Sequence, residues 1–216
     1  MVEVREYVDT DGHSPYGAWF DRLNAPAAAK VAVALTRMAA GSFSNVKGVG
    51  SGLFEYRIDF GPGYRIYFGK DGETLLTLVG GGTKKRQQND ISTALAHWRT
   101  TNDENKRRAT MALTRNFKEA IRARVERDPK FRKELLREGI TSMIEGDIAT
   151  AKTILRDYIN ATVGFTELAA ATHIPSKSLM RMLGPAGNPR ADNLFEIVGF
   201  LQRHEGVRFN LRAELR

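Results

Sequence analysis

Residues 53–86 read LFEYRIDFGPGYRIYFGKDGETLLTLVGGGTKKR, and their pattern decides the fold of the first half of the chain. Alternation of apolar and polar residues predicts three strands, over 53–60, 63–68 and 74–80. The Gly-Pro-Gly and Lys-Asp-Gly runs between them predict two tight turns. We therefore expect a small antiparallel sheet with one polar face, onto which Arg57, Arg65 and Tyr67 would project.

The sequence around these strands adds helices, so we predict an α+β domain over residues 1–99. VEVREYVD, near the N-terminus, alternates as a short strand. Ser14-Pro15 and Pro26 each open a helical segment, because proline is favoured in the first turn of a helix. QQNDISTALAHWR, which ends this half, also has helical propensity.

Composition and charge exclude several classes of function. The chain has 216 residues, no cysteine and four histidines, so disulfides and thiolate chemistry are excluded and no metal site is predicted. No segment is apolar enough to span a membrane and no secretory signal is visible, so we expect a cytoplasmic protein. Residues 1–104 hold 12 basic and 12 acidic side chains, and residues 105–216 hold 21 and 13. Residues 22–99 are also basic, with 11 basic and five acidic side chains. Polyphosphate partners are therefore expected for both halves.

A polar stretch separates the two halves. Residues 100–110 contain no apolar side chain except Ala109, a composition that predicts a linker. MALTRNFKEA, beginning at Met111, reads like the start of an independent polypeptide. The predicted second domain therefore covers 111–216 and is all-α, with VRFNL at 207–211 as a candidate terminal strand.

The most specific pattern of the second half is a helix-turn-helix at about residues 164–184. FTELAAATHIPSKSLMRMLGP predicts two short helices joined by a tight turn at His173-Ile174-Pro175, with Leu179 and Leu183 facing inward. The outward side chains would meet a DNA major groove and its phosphates. The candidate DNA contacts are Ser176, Lys177, Ser178, Arg181, Asn188 and Arg190. An ordinary helical hairpin with solvated cations is the alternative.

Basic residues of the first half form a second candidate site. Its members are Arg57, Arg65, Tyr67, Lys84, Lys85 and Arg86. Two guanidinium groups could clamp a scissile phosphate without a metal ion, and a Tyr or Lys whose pKa is lowered by cations could exchange protons. A solvated basic face without chemistry is the alternative.

Both halves resemble the products of one kind of two-gene module. LFEYRIDFGPGYRIYF followed by LLTLVGGGTKKRQQNDISTALAHW resembles the RelE/ParE superfamily of toxins, in particular its HigB-like addiction module killer branch, over about residues 1–99. Residues 111–212, with FTELAAATHIPSKSLMRMLGPAGNP, resemble the HigA-like helix-turn-helix antitoxins. The tandem resemblance implies a toxin–antitoxin fusion in one chain.

The resemblance implies a ribosome-dependent endoribonuclease that cuts translated mRNA without a cofactor. The antitoxin half would inhibit it through an intramolecular contact over the basic face, and would bind operator DNA as a homodimer to repress its own operon. Arg65 matches the phosphate-clamping position of the toxins. Lys84, with Lys85 and Arg86 beside it, matches a basic position after the strand-end glycine, and Arg57 matches a basic position in the preceding strand.

Two alternatives belong to other classes. The catalytic C-terminal Tyr of some toxins has no counterpart here, and Tyr67 is only a substitute for it. The chain could therefore be a transcription regulator whose RelE-like half is inactive. The ParE branch shares the fold but inhibits gyrase, so the fold alone does not decide the activity.

Overall fold

The computed structural model describes residues 2–72, 75–107 and 114–210, and the chain forms two compact units that meet in sequence between Arg124 and Val125. The first unit contains a six-stranded sheet and three complete helices among its described residues. Its elements are β1 (Glu3–Tyr7), α1 (Pro15–Arg22), α2 (Ala25–Ala39), β2 (Val46–Gly50), β3 (Leu53–Ile58), β4 (Tyr64–Asp71), β5 (Leu75–Thr83), a 3-10 turn (Lys84–Arg86), α3 (Gln87–Arg107) and β6 (Thr114–Asn116).

The sheet is mixed, with strand order β2-β3-β4-β5-β1-β6. The antiparallel run β3-β4-β5 and the turn around Gly61-Pro62-Gly63 confirm the pattern predicted from the quoted stretch, and residues 73–74 of the second connection lie outside the described residues. The expectation of a purely antiparallel sheet is wrong, because β1 lies parallel to β5, with Glu3 opposite Leu75 and Glu6 opposite Leu78. The chain from α1 to β4 separates these two strands, so local turn signals could not set their direction.

Helices cover both faces of the sheet. On one face, the indole of Trp19 in α1 lies against Gly81, where any side chain would overlap it. On the other face, Trp98 of α3 lies over Gly69 in the same manner. Around Trp98 lies a buried cluster whose other members are Tyr7, Leu53, Tyr67, Val79 and Ala94. The sheet therefore has no fully solvated face, contrary to the prediction from period-two alternation.

The predicted linker begins inside a helix. α3 continues to Arg107, and Thr101 is buried, with its hydroxyl donating to the carbonyl of His97 at 2.8 Å. The rest of the predicted linker and Met111 lie outside the described residues. The chain then returns to the first unit, because β6 pairs with β1 and places Arg115 opposite Glu6.

The second unit is helical over its described residues, 125–210, and no strand occurs among them. After α4 (Phe117–Arg127), which starts in the first unit, come α5 (Pro129–Ile144), α6 (Ile148–Ala161), α7 (Gly164–Thr172), α8 (Ser176–Met182) and α9 (Ala191–Glu205). Asp128 and Asp147 begin α5 and α6 as N-caps, because their carboxylates accept free backbone N–H groups. Leu136, Leu155 and Leu168 belong to one buried core. None of the described helices is both long and apolar enough to cross a membrane.

Candidate functional site

Arg57 and Arg65 face each other across two neighbouring strands. They are register partners on β3 and β4, and Arg65 is also opposite Gly82 of β5. Two like charges in this position repel each other, so the pair needs a compensating anion. Arg57 is exposed to solvent, whereas Arg65 is buried to 9% exposure.

Glu55 supplies that compensating charge from beneath the two arginines. It is fully buried, and its carboxylate accepts from Arg57 Nε at 2.7 Å and from Gln87 Nε2 at 2.8 Å. Arg65 Nε lies 3.8 Å from the same carboxylate, an ion pair without a hydrogen bond. The prediction from sequence missed Glu55 and Gln87 as site residues. The alternation of Glu55 with Arg57 on one face of β3 was the available signal.

Arg65 keeps capacity to bind an anion. Its Nη1 donates to the Tyr64 carbonyl at 3.0 Å, and its buried Nε has no hydrogen-bond partner among the described residues. A guanidinium has five N–H donors, so several remain for a ligand. A phosphate that accepted them would satisfy donors that are costly to leave unpaired.

The turn at Gly63 brings Lys84 close to Arg65. Lys84 N–H donates to the Gly63 carbonyl at 2.8 Å. A Cβ built on Gly63 would lie 3.5 Å from Lys84 Cβ and 3.6 Å from Arg65 Nη1, so both side chains lie next to Gly63. Arg57, Arg65 and Lys84 are called the basic cluster below. Lys85 and Arg86 follow in the exposed 3-10 turn.

Tyr67 lies close enough to Glu55 and Arg65 to interact with them electrostatically, but it is covered instead of exposed on a polar face, which corrects the predicted exposure. Its side chain is fully buried in the cluster around Trp98, and its hydroxyl has no hydrogen-bond partner among the described residues. Burial, with the carboxylates of Asp90 and Glu55 nearby, raises the pKa of the Tyr67 phenol well above its ordinary value. A buried phenol with a raised pKa is a poor base at neutral pH.

The predicted second-half site lies on α7 and α8. α7 ends at Thr172 and α8 begins at Ser176, so the predicted turn at 173–175 is confirmed. Leu179 and Leu183 are buried as predicted. The candidate contacts Lys177, Arg181, Asn188 and Arg190 are exposed, and Ser176 and Ser178 are partly exposed.

Two cations of α6, the buried Lys152 and the partly buried Arg156, hold α8 and the loop that follows it. Lys152 Nζ donates to the carbonyls of Gly187 at 2.5 Å and Pro185 at 3.3 Å. Arg156 Nη1 donates to the Met180 carbonyl at 3.1 Å. The loop that carries Asn188 is therefore fixed to α6. Arg190 lies farther out and pairs with Asp192 at 3.2 Å, with both side chains largely exposed.

Residues 114–124, here called the anchor segment, bind the start of the second half to the first unit. Glu6 is fully buried and accepts from Arg115 Nε at 2.6 Å and from Ser14 Oγ at 2.6 Å. Arg124 is also buried, and its guanidinium donates to the carbonyls of Phe20 and Leu23 at the end of α1. The predicted boundary at 99–111 therefore differs from the structural one, because the anchor segment packs with the first unit.

The described residues contain no group of three or more His, Asp or Glu side chains that could hold a metal ion. The basic cluster offers the guanidinium groups of Arg57 and Arg65, paired with buried Glu55, and the ammonium group of Lys84. Such a set can bind a phosphodiester and stabilise the charge that develops on it.

The class defined by these features is a small mixed-sheet domain with a basic cluster at one sheet end, joined to a helical unit. The chain is 39% identical over 80 residues to an uncharacterized protein of Haemophilus influenzae, a match that covers 37% of this chain and 81% of that protein. The chain belongs to the same family as this protein, whose name assigns no function. No family model matches the chain, and no solved structure matches it.

Proposed function

We propose that the chain is a type II toxin–antitoxin module in one polypeptide. Its first unit is a RelE-like, HigB-like ribonuclease that cuts mRNA on the ribosome, and its second unit is a HigA-like helix-turn-helix that binds operator DNA. The observation that carries the proposal is the basic cluster, in which the Arg65 guanidinium lies beside Lys84 and its Nε makes no hydrogen bond to the described residues. The Haemophilus relative is less than half as long as this chain. Its length supports the view that one domain of this chain also exists as a separate protein.

The ribonuclease chemistry follows from the basic cluster. Arg65 and Lys84 hold the scissile phosphate and neutralise the charge that grows on its non-bridging oxygens as the 2′-oxygen bonds to phosphorus and the bond to the 5′-oxygen breaks. The 2′-OH gives its proton to a base, and the leaving 5′-oxygen takes up a proton. Glu55 holds Arg57 and Arg65 side by side despite their repulsion. Since Tyr67 is buried, we assign proton transfer to the exposed basic residues Lys84, Lys85 and Arg86, of which a lysine is the more suitable.

Inhibition follows from covalent attachment. The anchor segment belongs to the first unit, which Arg115 and Arg124 help to hold together, and the second unit follows it in the same polypeptide. Two binding partners in one polypeptide have an effective concentration of roughly millimolar, so a contact of even micromolar affinity is nearly always made. We therefore expect the intact chain to be a poor ribonuclease.

DNA binding is proposed for α7 and α8. Leu179 and Leu183 bury one side of α8, and Lys177 and Arg181 remain exposed on it. Arg181 would bond bidentately to a guanine, and Asn188 and Arg190 would contact phosphates. Since one such unit contacts about half a turn of duplex, binding requires a homodimer on a palindromic operator.

The experiment compares the intact chain with residues 1–124 expressed alone. The fragment ends at Arg124 because a shorter one, 1–99, would cut α3 and remove β6. We expect 5′ ends of cellular mRNA to accumulate with codon phasing only when the fragment is expressed. Strong mRNA cleavage by the intact chain would contradict inhibition in cis, and DNA breaks would assign the fragment to gyrase.

A second candidate is a DNA-binding regulator with an inactive first unit. The observation that favours it is Glu55, which pairs with both arginines and thereby reduces their net charge. A folded fragment 1–124 that cuts no RNA and leaves DNA intact, together with operator binding by the whole chain, would establish this candidate instead.

A further inference from the structure

A cavity lies in the first unit, and none of the residues assigned to cleavage lines it. It has a volume of about 290 Å³ and opens between α1 and α3 above β5. The residues that matter are Trp19 and Arg22 of α1, Gly80 and Gly81 of β5, and Asp90 and His97 of α3. This volume is at the lower end for ligand pockets, which suits a planar ring of nucleobase size.

The floor of the cavity is an open sheet edge. β1 pairs with β5 only as far as Leu78, and β5 continues to Thr83. Beyond Leu78, the Val79 carbonyl faces His97 and the Thr83 N–H faces Asp90. Gly81 lies two residues from each of them along β5. Because the backbone groups of every second residue in a strand point to the same side, the N–H and C=O of Gly81 also point to this edge. No side chain in the described part of the chain bonds to them.

The side chains around this edge present further polar atoms. His97 Nδ1 lies 3.0 Å from the Val79 carbonyl oxygen. Because a carbonyl only accepts, Nδ1 donates this bond and Nε2 is the ring nitrogen left for a ligand. Asp90 adds a carboxylate, and exposed Arg22 adds a cation at the rim. Trp19 supplies a flat apolar wall.

We infer that this cavity binds a nucleobase, whose edge pairs with the N–H and C=O of Gly81 and whose phosphate reaches Arg22. A neighbouring donor and acceptor in one plane match the hydrogen-bonding edge of a base, and the indole of Trp19 suits its faces. Asp90 would accept from an exocyclic amino group. The nucleotide can be free or part of single-stranded RNA, and its assignment to an RNA substrate rests on the proposed function.

Of the three consecutive glycines at positions 80–82, one can be replaced so that a side chain fills the cavity without disturbing the fold. A Cβ on Gly81 would overlap Trp19, and a Cβ on Gly82 would overlap Asp90. A Cβ on Gly80 would meet nothing within 4 Å. Gly80→Leu therefore places a side chain in the cavity, and Gly48→Leu on β2 is the matched control, since its Cβ would lie 4.0 Å from Phe54.

The experiment titrates the intact, ¹⁵N-labelled chain with AMP, GMP, CMP and UMP in turn, and with ribose 5-phosphate. We expect saturable shifts of the Gly81 amide and the Trp19 indole N–H with at least one nucleotide and none with ribose 5-phosphate. Gly80→Leu should weaken binding at least about tenfold, the scale of one lost base–aromatic contact, and Gly48→Leu should not.

Three results would overturn the inference: no nucleotide shifts these signals, ribose 5-phosphate shifts them equally, or Gly80→Leu binds as the parent chain does. A single-stranded RNA trinucleotide then distinguishes the two sources of the base. Tighter binding of the trinucleotide than of a mononucleotide would identify RNA as the ligand. No binding of the trinucleotide would identify a free nucleotide. Neither result requires cleavage, so this inference and the proposed ribonuclease can fail separately.

Discussion

Replacing Arg115 by Met removes the cation that pairs with a fully buried carboxylate. Glu6 accepts from Arg115 Nε and from Ser14 Oγ, each at 2.6 Å. A hydrogen bond to a charged group contributes roughly 1.5–3 kcal/mol, and stranding a fully buried charge costs roughly 3–5 kcal/mol. The Arg115 side chain is 45% exposed and Ser14 stays in place, so we expect a loss near the low end, about 2 kcal/mol.

Urea unfolding followed by tryptophan fluorescence measures this loss in the first unit alone. The two tryptophans of the chain, Trp19 and Trp98, both lie in that unit. With a slope of about 2 kcal/mol per molar urea, the midpoint should fall by about 1 M. Arg99→Met, at an exposed position of α3, is the matched control and should leave the midpoint nearly unchanged.

A rescue variant separates the charge from the packing of Arg115. Adding Glu6→Gln to Arg115→Met removes the unpaired anion, so part of the lost stability should return. An unchanged midpoint in Arg115→Met, or an equal fall in Arg99→Met, would refute the role given to Arg115. The anchor segment would then be a passive contact.

Three other predictions concern the sheet, the second unit and alkaline stability. Gly82→Ala places a Cβ on Asp90 and should cost about 1–3 kcal/mol of unfolding free energy in the same urea assay, whereas Gly48→Ala should cost little. Arg181→Ala should weaken operator binding by about 1–3 kcal/mol in a gel-shift titration, and an equal loss on random DNA would limit Arg181 to phosphate contact. Burial raises the pKa of Tyr67, so its contribution to stability is complete below about pH 10 and declines as pH rises above it. Tyr67→Phe should therefore reduce the alkaline loss of stability, and an identical pH profile would contradict this.

The part of the fold predicted correctly from sequence is the part that local signals determine. β3, β4 and β5 alternate clearly, and glycine-rich turns join them. β2 reads VKGVG and β6 has only three residues, so neither has a pattern that marks a strand. Pairing with neighbouring strands makes β2 and β6 part of the sheet, and pairing with the parallel strand β5 sets the direction of β1.

The candidate site was predicted in part for a related reason. The alternation of apolar and polar residues predicts that Arg57 and Arg65 lie on one face, and the structure pairs them across two strands. Alternation also put Tyr67 on that face, but it cannot tell whether a helix covers the face. The apolar side of α3 does so, and it buries Tyr67 while Arg57 at the sheet end stays exposed. The burial of Glu55 beneath the arginines depends on the same packing.

The most direct test of the account is growth after induction of residues 1–124, beside the full chain and the fragment with Arg65→Ala and Lys84→Ala. The unaltered fragment alone should arrest growth, because it has the basic cluster without the second unit. Tryptophan fluorescence of the purified fragments shows whether each is folded. A folded, unaltered fragment that leaves growth unaffected would contradict the toxin assignment.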